Sequence, residues 1–144
     1  MSQLDILYPV FVQALLTFLV YGLLAVARAR AIRRLERGRG NPDLALGRTV
    51  WPEDAEKRAA NQRNQFELPV LFYAVVAFAL ITKAVDIPML ALAWLFVLSR
   101  IVHTAIQIGP NKVRWRTPAF ALGFLVLLGM WLKLFMHVAS GGFA

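Results

Sequence analysis

Four apolar stretches, residues 6–27, 66–82, 88–108 and 118–137, dominate the sequence. A helix needs about 20 mostly apolar residues to cross the hydrocarbon core of a bilayer. Inside that core every backbone polar group must find a partner within the protein, which leaves helices and closed barrels. Runs of this length, without the period-two alternation of a barrel strand, predict four membrane-spanning helices. Composition agrees: hydrophobic residues are 59% and charged residues 17% of the 144. A soluble domain of this size leaves too much surface in water to hide that apolar fraction. A soluble enzyme, a disordered tail and a nucleic-acid module are therefore excluded as starting readings.

The first stretch carries only Pro9, Gln13 and Thr17 as mild interruptions. It lacks a basic region before it and has an arginine cluster after it, so it reads as a span rather than a cleaved leader. The second continues a polar helical segment that begins at Glu53. Pro88 and Pro118 suit the first turns of the third and fourth, where a missing N–H has no helical partner anyway. Lys133, near the end of the fourth, is placed to snorkel toward water. Residues 28–39 extend the first helix until Gly38, Gly40, Asn41 and Pro42 break it. The short 83–87 connection fits antiparallel neighbours in an up-and-down four-helix bundle. The whole chain, 1–144, reads as one membrane domain with no internal repeat and no GxxxG pair in an apolar run.

Sixteen Lys and Arg against eight Asp and Glu give a formal charge of +8. Ten of the sixteen lie between Arg28 and Arg63 and three more between Lys112 and Arg116, whereas the 83–86 turn has one. Basic clusters flanking apolar runs set membrane orientation. Both termini are expected outside and both basic loops in the cytoplasm. Cysteine is absent, so any thiol chemistry must come with a substrate. No metal-ligand spacing, nucleophile elbow or phosphate loop occurs either.

Ionisable groups at membrane depth are costly and by default mark a functional site. Arg100, His103 and Gln107 share one face of the third helix, with Arg100 about 12 Å inside its cytoplasmic end. Glu56, Arg63 and Glu67 fall within one arc of the second, beside Asn64, with Arg63 and Glu67 spaced as an i,i+4 pair. A buried arginine needs carboxylate or carbonyl partners. Glu67 is the expected partner of Arg100 or of an arginine from a neighbouring subunit. The two faces define a cationic cleft open to the cytoplasm, with Arg114 and Arg116 at its rim. It suits a small anionic ligand that carries carboxylates and an ammonium group.

The run Glu56-Lys57-x-x-Ala60-x-x-Arg63-Asn64-x-x-Glu67, with Pro69 after it, resembles the second-helix motif of the MAPEG family (membrane-associated proteins in eicosanoid and glutathione metabolism). The run Arg100-Ile101-Val102-His103-Thr104, then Gly109 and Arg116-Thr117, is similar to that family's third helix and following loop. The resemblance covers nearly the whole chain and implies a bacterial-type member: a homotrimer of four-helix protomers in a bacterial inner membrane. It implies glutathione as co-substrate, bound between subunits near the cytoplasmic face, and no metal. Arg63, Asn64 and Glu67 would contact the glutathione peptide, and Arg100, His103, Gln107 and Arg114 would line or rim the cleft. Arg116 matches the arginine that stabilises the glutathione thiolate, with Thr117 beside it. Arg28 or Arg30 matches a basic residue at the end of the family's first helix. Gln107 stands where many active members have tyrosine, Ala60 where arginine is common, and Pro69 follows Glu67 more closely than usual.

Two readings follow. One is a glutathione transferase or peroxidase acting on lipophilic electrophiles. The other is a non-catalytic trimer that binds lipid or a small anion on the same scaffold, with Asn64 and Glu67 as a structural clamp. A channel or proton carrier through Glu67 and His103 lacks a polar face in the outer half of the bundle. His137 and Lys133 lie too near the outer side to join the cleft, and Tyr8, Trp94, Trp115 and Trp131 read as interfacial anchors.

Overall fold

A computed structural model describes residues 2–38, 43, 46 and 51–141. A short 3-10 turn, Gln3–Ile6, leads into α1 (Leu7–Glu36), followed by α2 (Glu53–Asn64), α3 (Leu68–Ile81), α4 (Ile87–Ile108) and α5 (Val113–Ala139). With α2 and α3 taken together as one span, four helical segments are long and apolar enough to cross a membrane. The chain is an all-α integral membrane bundle.

The 30 residues of α1 extend about 45 Å at 1.5 Å per residue, so the basic segment does continue the first span. Gly38 ends it at φ +66°, a left-handed conformation that glycine adopts without steric cost, and its N–H bonds the Leu35 carbonyl at 2.9 Å. The other expected breakers, Gly40, Asn41 and Pro42, lie outside the described residues, as does Arg39.

Two boundaries differ from expectation. The segment from Glu53 does not run straight into the second span; it breaks over residues 65–67. Pro69 has no N–H for the Gln65 carbonyl, and its ring would crowd that oxygen in a continuous helix. The break turns Arg63 and Glu67 out of i,i+4 register on one cylinder. The fourth helix begins at Val113, with Pro118 inside it. Lys112 accepts the N–H groups of Trp115 and Arg116, so the turn forms before Pro118. Arg116 and Thr117 therefore ride on the first turns of a helix, not on a loop.

The core is carried by α4, which packs on α5, α2 and α1. Phe72 of α3 and Phe96 of α4, both fully buried, stack with centroids 4.6 Å apart. At the opposite end from the basic segments, Asp86 caps α4 by accepting the Met89 N–H at 2.9 Å. It also pairs with Lys133 at 2.7 Å, so Lys133 is tied to the α3–α4 turn. Partial burial acts to raise the Asp86 pKa, but the Lys133 ammonium and the Met89 N–H outweigh it and hold the carboxyl below its ordinary 3.8. His137 Nε2 meets the Thr82 carbonyl at 3.0 Å in the same region, away from α2 and the start of α5.

Close approach of α4 and α5 depends on one small residue. A Cβ at Gly123 would lie 2.7 Å from Ser99 Oγ, and small residues at helix contacts let backbones pack tightly in membranes. Gly123→Ala is expected to destabilise the detergent-solubilised protein by about 1–2 kcal/mol. Adding Ser99→Ala is expected to recover most of that loss, because the hydroxyl is the clashing atom. Equal melting temperatures for the single and double variants would refute this account of the contact.

Candidate functional site

The break after α2, the C-terminal half of α4 and the start of α5 enclose a cavity of about 460 Å³. Its wall is made by Ala60, Arg63, Asn64, Glu67, His103, Gln107, Arg116, Thr117 and Phe120. Seven of the nine residues singled out from the sequence thus share one space: Arg63, Asn64, Glu67, His103, Gln107, Arg116 and Thr117. Cavities of this size hold small organic ligands. Arg63 and Arg116 give the wall two cations, Glu67 one anion, and Asn64 and Gln107 neutral amides.

Arg100 and Arg114 take other positions. Arg114 is exposed and lies over its neighbour, with the guanidinium carbon 5.0 Å from the Trp115 ring centroid. Arg100 is fully buried and donates from Nη2 to the Asn64 carbonyl at 3.2 Å. Its guanidinium faces the Phe120 ring at 5.8 Å. Arg100 Nε and Nη1 have no hydrogen-bond partner among the described residues. The expected Arg100–Glu67 ion pair does not form within the protomer: among the described residues the ion pairs are Lys57–Glu53 and Lys133–Asp86. The helix break explains the difference, since it presents the backbone carbonyl of Asn64 to Arg100 and leaves Glu67 exposed on the cavity side, acting on Arg100 through space rather than by contact. Arg100 is therefore a buried cation beneath the cavity, only partly compensated, and its field favours a negative ligand above it.

Arg116 is held from the helix start. Its Nη1 donates to Asn111 Oδ1 at 2.8 Å. Asn111 adopts φ +48°, a left-handed turn that asparagine tolerates better than most residues, and its N–H bonds the Ile106 carbonyl at 2.8 Å. The turn between α4 and α5 thus aims the guanidinium that the sequence alone located only near the cleft rim. His103 is tilted against Phe120, centroids 5.8 Å apart, and its Nδ1 is enclosed with no partner among the described residues.

Sequence reasoning missed the support behind the wall. Gln13 Nε2 donates to Gln65 Oε1 at 3.0 Å, and Gln65 Nε2 donates to Asn61 Oδ1 at 3.1 Å and to Thr104 Oγ1 at 3.2 Å. Asn61 and Asn64 then donate to the one oxygen Gln107 Oε1, at 3.1 and 2.9 Å. These amides, all but Asn64 buried, join α1, α2 and α4 in apolar surroundings. There each unmade hydrogen bond costs its full desolvation. Gln13, a polar residue within an uncharged apolar run, was the visible signal. Asn61 and Gln65, at i,i+4 in the polar segment, were the other half of it.

Ala60, Arg116 and Thr117 line the cavity at the end of α4 that Gly109 caps. A protein-family model described as the MAPEG family matches residues 6–136. No curated protein and no solved structure matches the chain.

Proposed function

We propose, from the premise that this chain belongs to the MAPEG family, that the cavity binds glutathione and activates its thiol toward lipophilic electrophiles. The family is one of membrane proteins of eicosanoid and glutathione metabolism with trimeric four-helix architecture, and the proposed assembly is a homotrimer. The observation that carries the reading is the convergence of Arg63, Asn64, Glu67, His103, Gln107, Arg116 and Thr117 on one cavity. Glutathione offers two carboxylates, an ammonium group, amide bonds and a thiol. Arg63 takes a carboxylate, Glu67 the ammonium group and Asn64 an amide, while Arg116 faces the sulfur with Thr117 beside it. Arg100 acts from beneath as a fixed positive charge, and Arg114 stands at the rim.

The chemistry needs no resident metal. A guanidinium next to a thiol lowers its pKa by stabilising the thiolate, and the proton leaves to water through the open side of the cavity. The thiolate sulfur then forms a C–S bond with the electrophilic carbon, whose leaving group departs with the bonding electrons. With a hydroperoxide the thiolate takes the distal oxygen, releasing alcohol, and a second glutathione closes the disulfide and releases water. The protein's share is binding both partners in register and holding the thiolate. Electrophiles arrive from the bilayer and glutathione from the cytoplasmic side, with both termini outside and the basic segments inside.

The test is a glutathione titration of the protein purified in detergent, followed by thiolate absorbance in the ultraviolet. A saturable signal at neutral pH supports the reading. Its absence from folded protein overturns it, and the reading then favoured is a non-catalytic trimer binding lipid or another anion. One departure already points in that second direction: Ala60 offers the cavity a methyl group where the family commonly has arginine. Gln107, in place of a tyrosine, keeps a polar group on the wall but changes its hydrogen bonding.

A further inference from the structure

The buried amides behind the cavity have a direction. Each carboxamide has a donor end and an acceptor end, so a chain of them runs one way or the other as a unit. From the interior outward the donors are Gln13 Nε2, Gln65 Nε2 and Asn61 Nδ2, and the last acceptor is Gln107 Oε1. Asn64 Nδ2 fills that same oxygen from a second side. Gln107 Nε2 is bonded to no described residue, and it is not among the enclosed atoms left without a partner. Gln107 itself lines the cavity, so its NH₂ faces that space.

Turning every amide over would reverse the sequence and present an oxygen to the cavity instead. Thr104 does not choose between the two, because a hydroxyl adapts to either. The choice is made at the buried end. As the chain stands, the atom left unbonded there is Gln13 Oε1. Reversal would put an NH₂ group at that enclosed position, where it would have two hydrogens to satisfy, and a buried N–H left without an acceptor is rarer and costlier than an under-used oxygen. A glutamine in the first span therefore fixes which end of Gln107 meets a ligand.

We infer that Gln107 is a specificity-determining donor, its NH₂ held toward the cavity by the Gln13–Gln65–Asn61 relay to receive a carboxylate or carbonyl oxygen of the ligand. Where the family's tyrosine hydroxyl both donates and accepts, Gln107 only donates. Gln107 thereby adds a neutral donor to the cations Arg63 and Arg116 on a wall with one carboxylate, Glu67, and with Asn64, His103 and Thr117 as its other polar groups. On the reading that the ligand is glutathione, Gln107 takes one of its carboxylate oxygens.

The test has two arms. The first needs no ligand: water-exchange NMR on the side-chain amides of ¹⁵N-labelled protein in detergent, with Gln107 assigned by its loss in Gln107→Glu. The Gln107 NH₂ is expected to exchange freely while those of Asn61 and Gln65 are protected. A protected Gln107 NH₂ means the relay runs the other way and overturns the inference. The second arm is calorimetric titration with S-methylglutathione, which keeps the carboxylates and cannot react. In Gln107→Glu the carboxylate still accepts from Asn61 and Asn64, so the relay stays bonded, but it turns a negative oxygen to the cavity. Affinity is expected to fall by at least about 10-fold and further than in Gln107→Leu. A Gln107→Glu protein that binds as well as wild type, or better than Gln107→Leu, overturns the donor role. If wild type itself fails to bind, the glutathione reading falls, and the inference stands or falls on the exchange data.

Discussion

Replacing Arg116 with alanine is expected to leave the bundle folded while the glutathione thiolate signal at neutral pH drops about 10- to 100-fold, the range set by removing one adjacent positive charge from a titrating group. Arg116 is partly exposed and its side chain hydrogen-bonds only Asn111 among the described residues, so its loss opens no buried network. Arg116→Lys is expected to fall between the two. An ammonium keeps the charge but not the planar fork that reaches both Asn111 and a sulfur at once. Asn111→Ala should reproduce part of the loss by freeing the guanidinium. Thiolate absorbance beside a thermal melt of each variant separates activation from folding. Undiminished absorbance in Arg116→Ala would remove Arg116 from the chemistry, whatever its effect on turnover.

The largest loss of stability is expected from Asn61→Leu. Asn61 is fully buried and is the node through which Gln65 on the α1 side reaches Gln107 on α4. Leucine has the same branched heavy-atom outline and more bulk, so no cavity is created, yet it strips an acceptor from Gln65 and a donor from Gln107. Buried polar groups left short of partners in a low-dielectric interior cost about 2–3 kcal/mol here. Denaturation in mixed micelles, read against Ala59→Ser as a nearby control, measures the difference. A loss below that of the control would show that the amides are satisfied by water and do not hold the three helices together. Asn61→Leu should also weaken ligand binding, since Gln107 loses one of the two donors that fix its orientation.

The spans were legible because the cost of placing a side chain in hydrocarbon belongs mostly to that side chain. Ile, Leu, Phe and Val in long runs have few alternatives, so the number of spans and the bundle class follow from residues 6–27, 66–82, 88–108 and 118–137 alone. The same reasoning marked Arg63, Asn64, Glu67, His103, Gln107, Arg116 and Thr117, because polar groups near apolar runs are conspicuous wherever the helices end up. It fell short for the contact that Arg100 makes within the protomer. Depth and charge said that it needed a partner, and Glu67 was the one carboxylate bordering an apolar span on the cytoplasmic side. The acceptor in the protomer is the Asn64 carbonyl, a backbone group that no composition or spacing can single out.

What only the tertiary structure decided depends on how the helices are turned and broken relative to one another. Pro69 forbids a continuous helix, but where the chain redirects, over residues 65–67, comes from packing α3 against the rest of the bundle. That redirection exposes Glu67, offers the Asn64 carbonyl to Arg100 and brings Gln65 against Gln13, which lies 52 residues earlier in the chain. The left-handed turn at Asn111 aims Arg116 in the same way. The sequence alone determines which groups are too polar for the membrane, since that is a property of each side chain and its solvent. Which of them meet, and which end of an amide faces the ligand, is set by distances between helices that exist only once the bundle has closed.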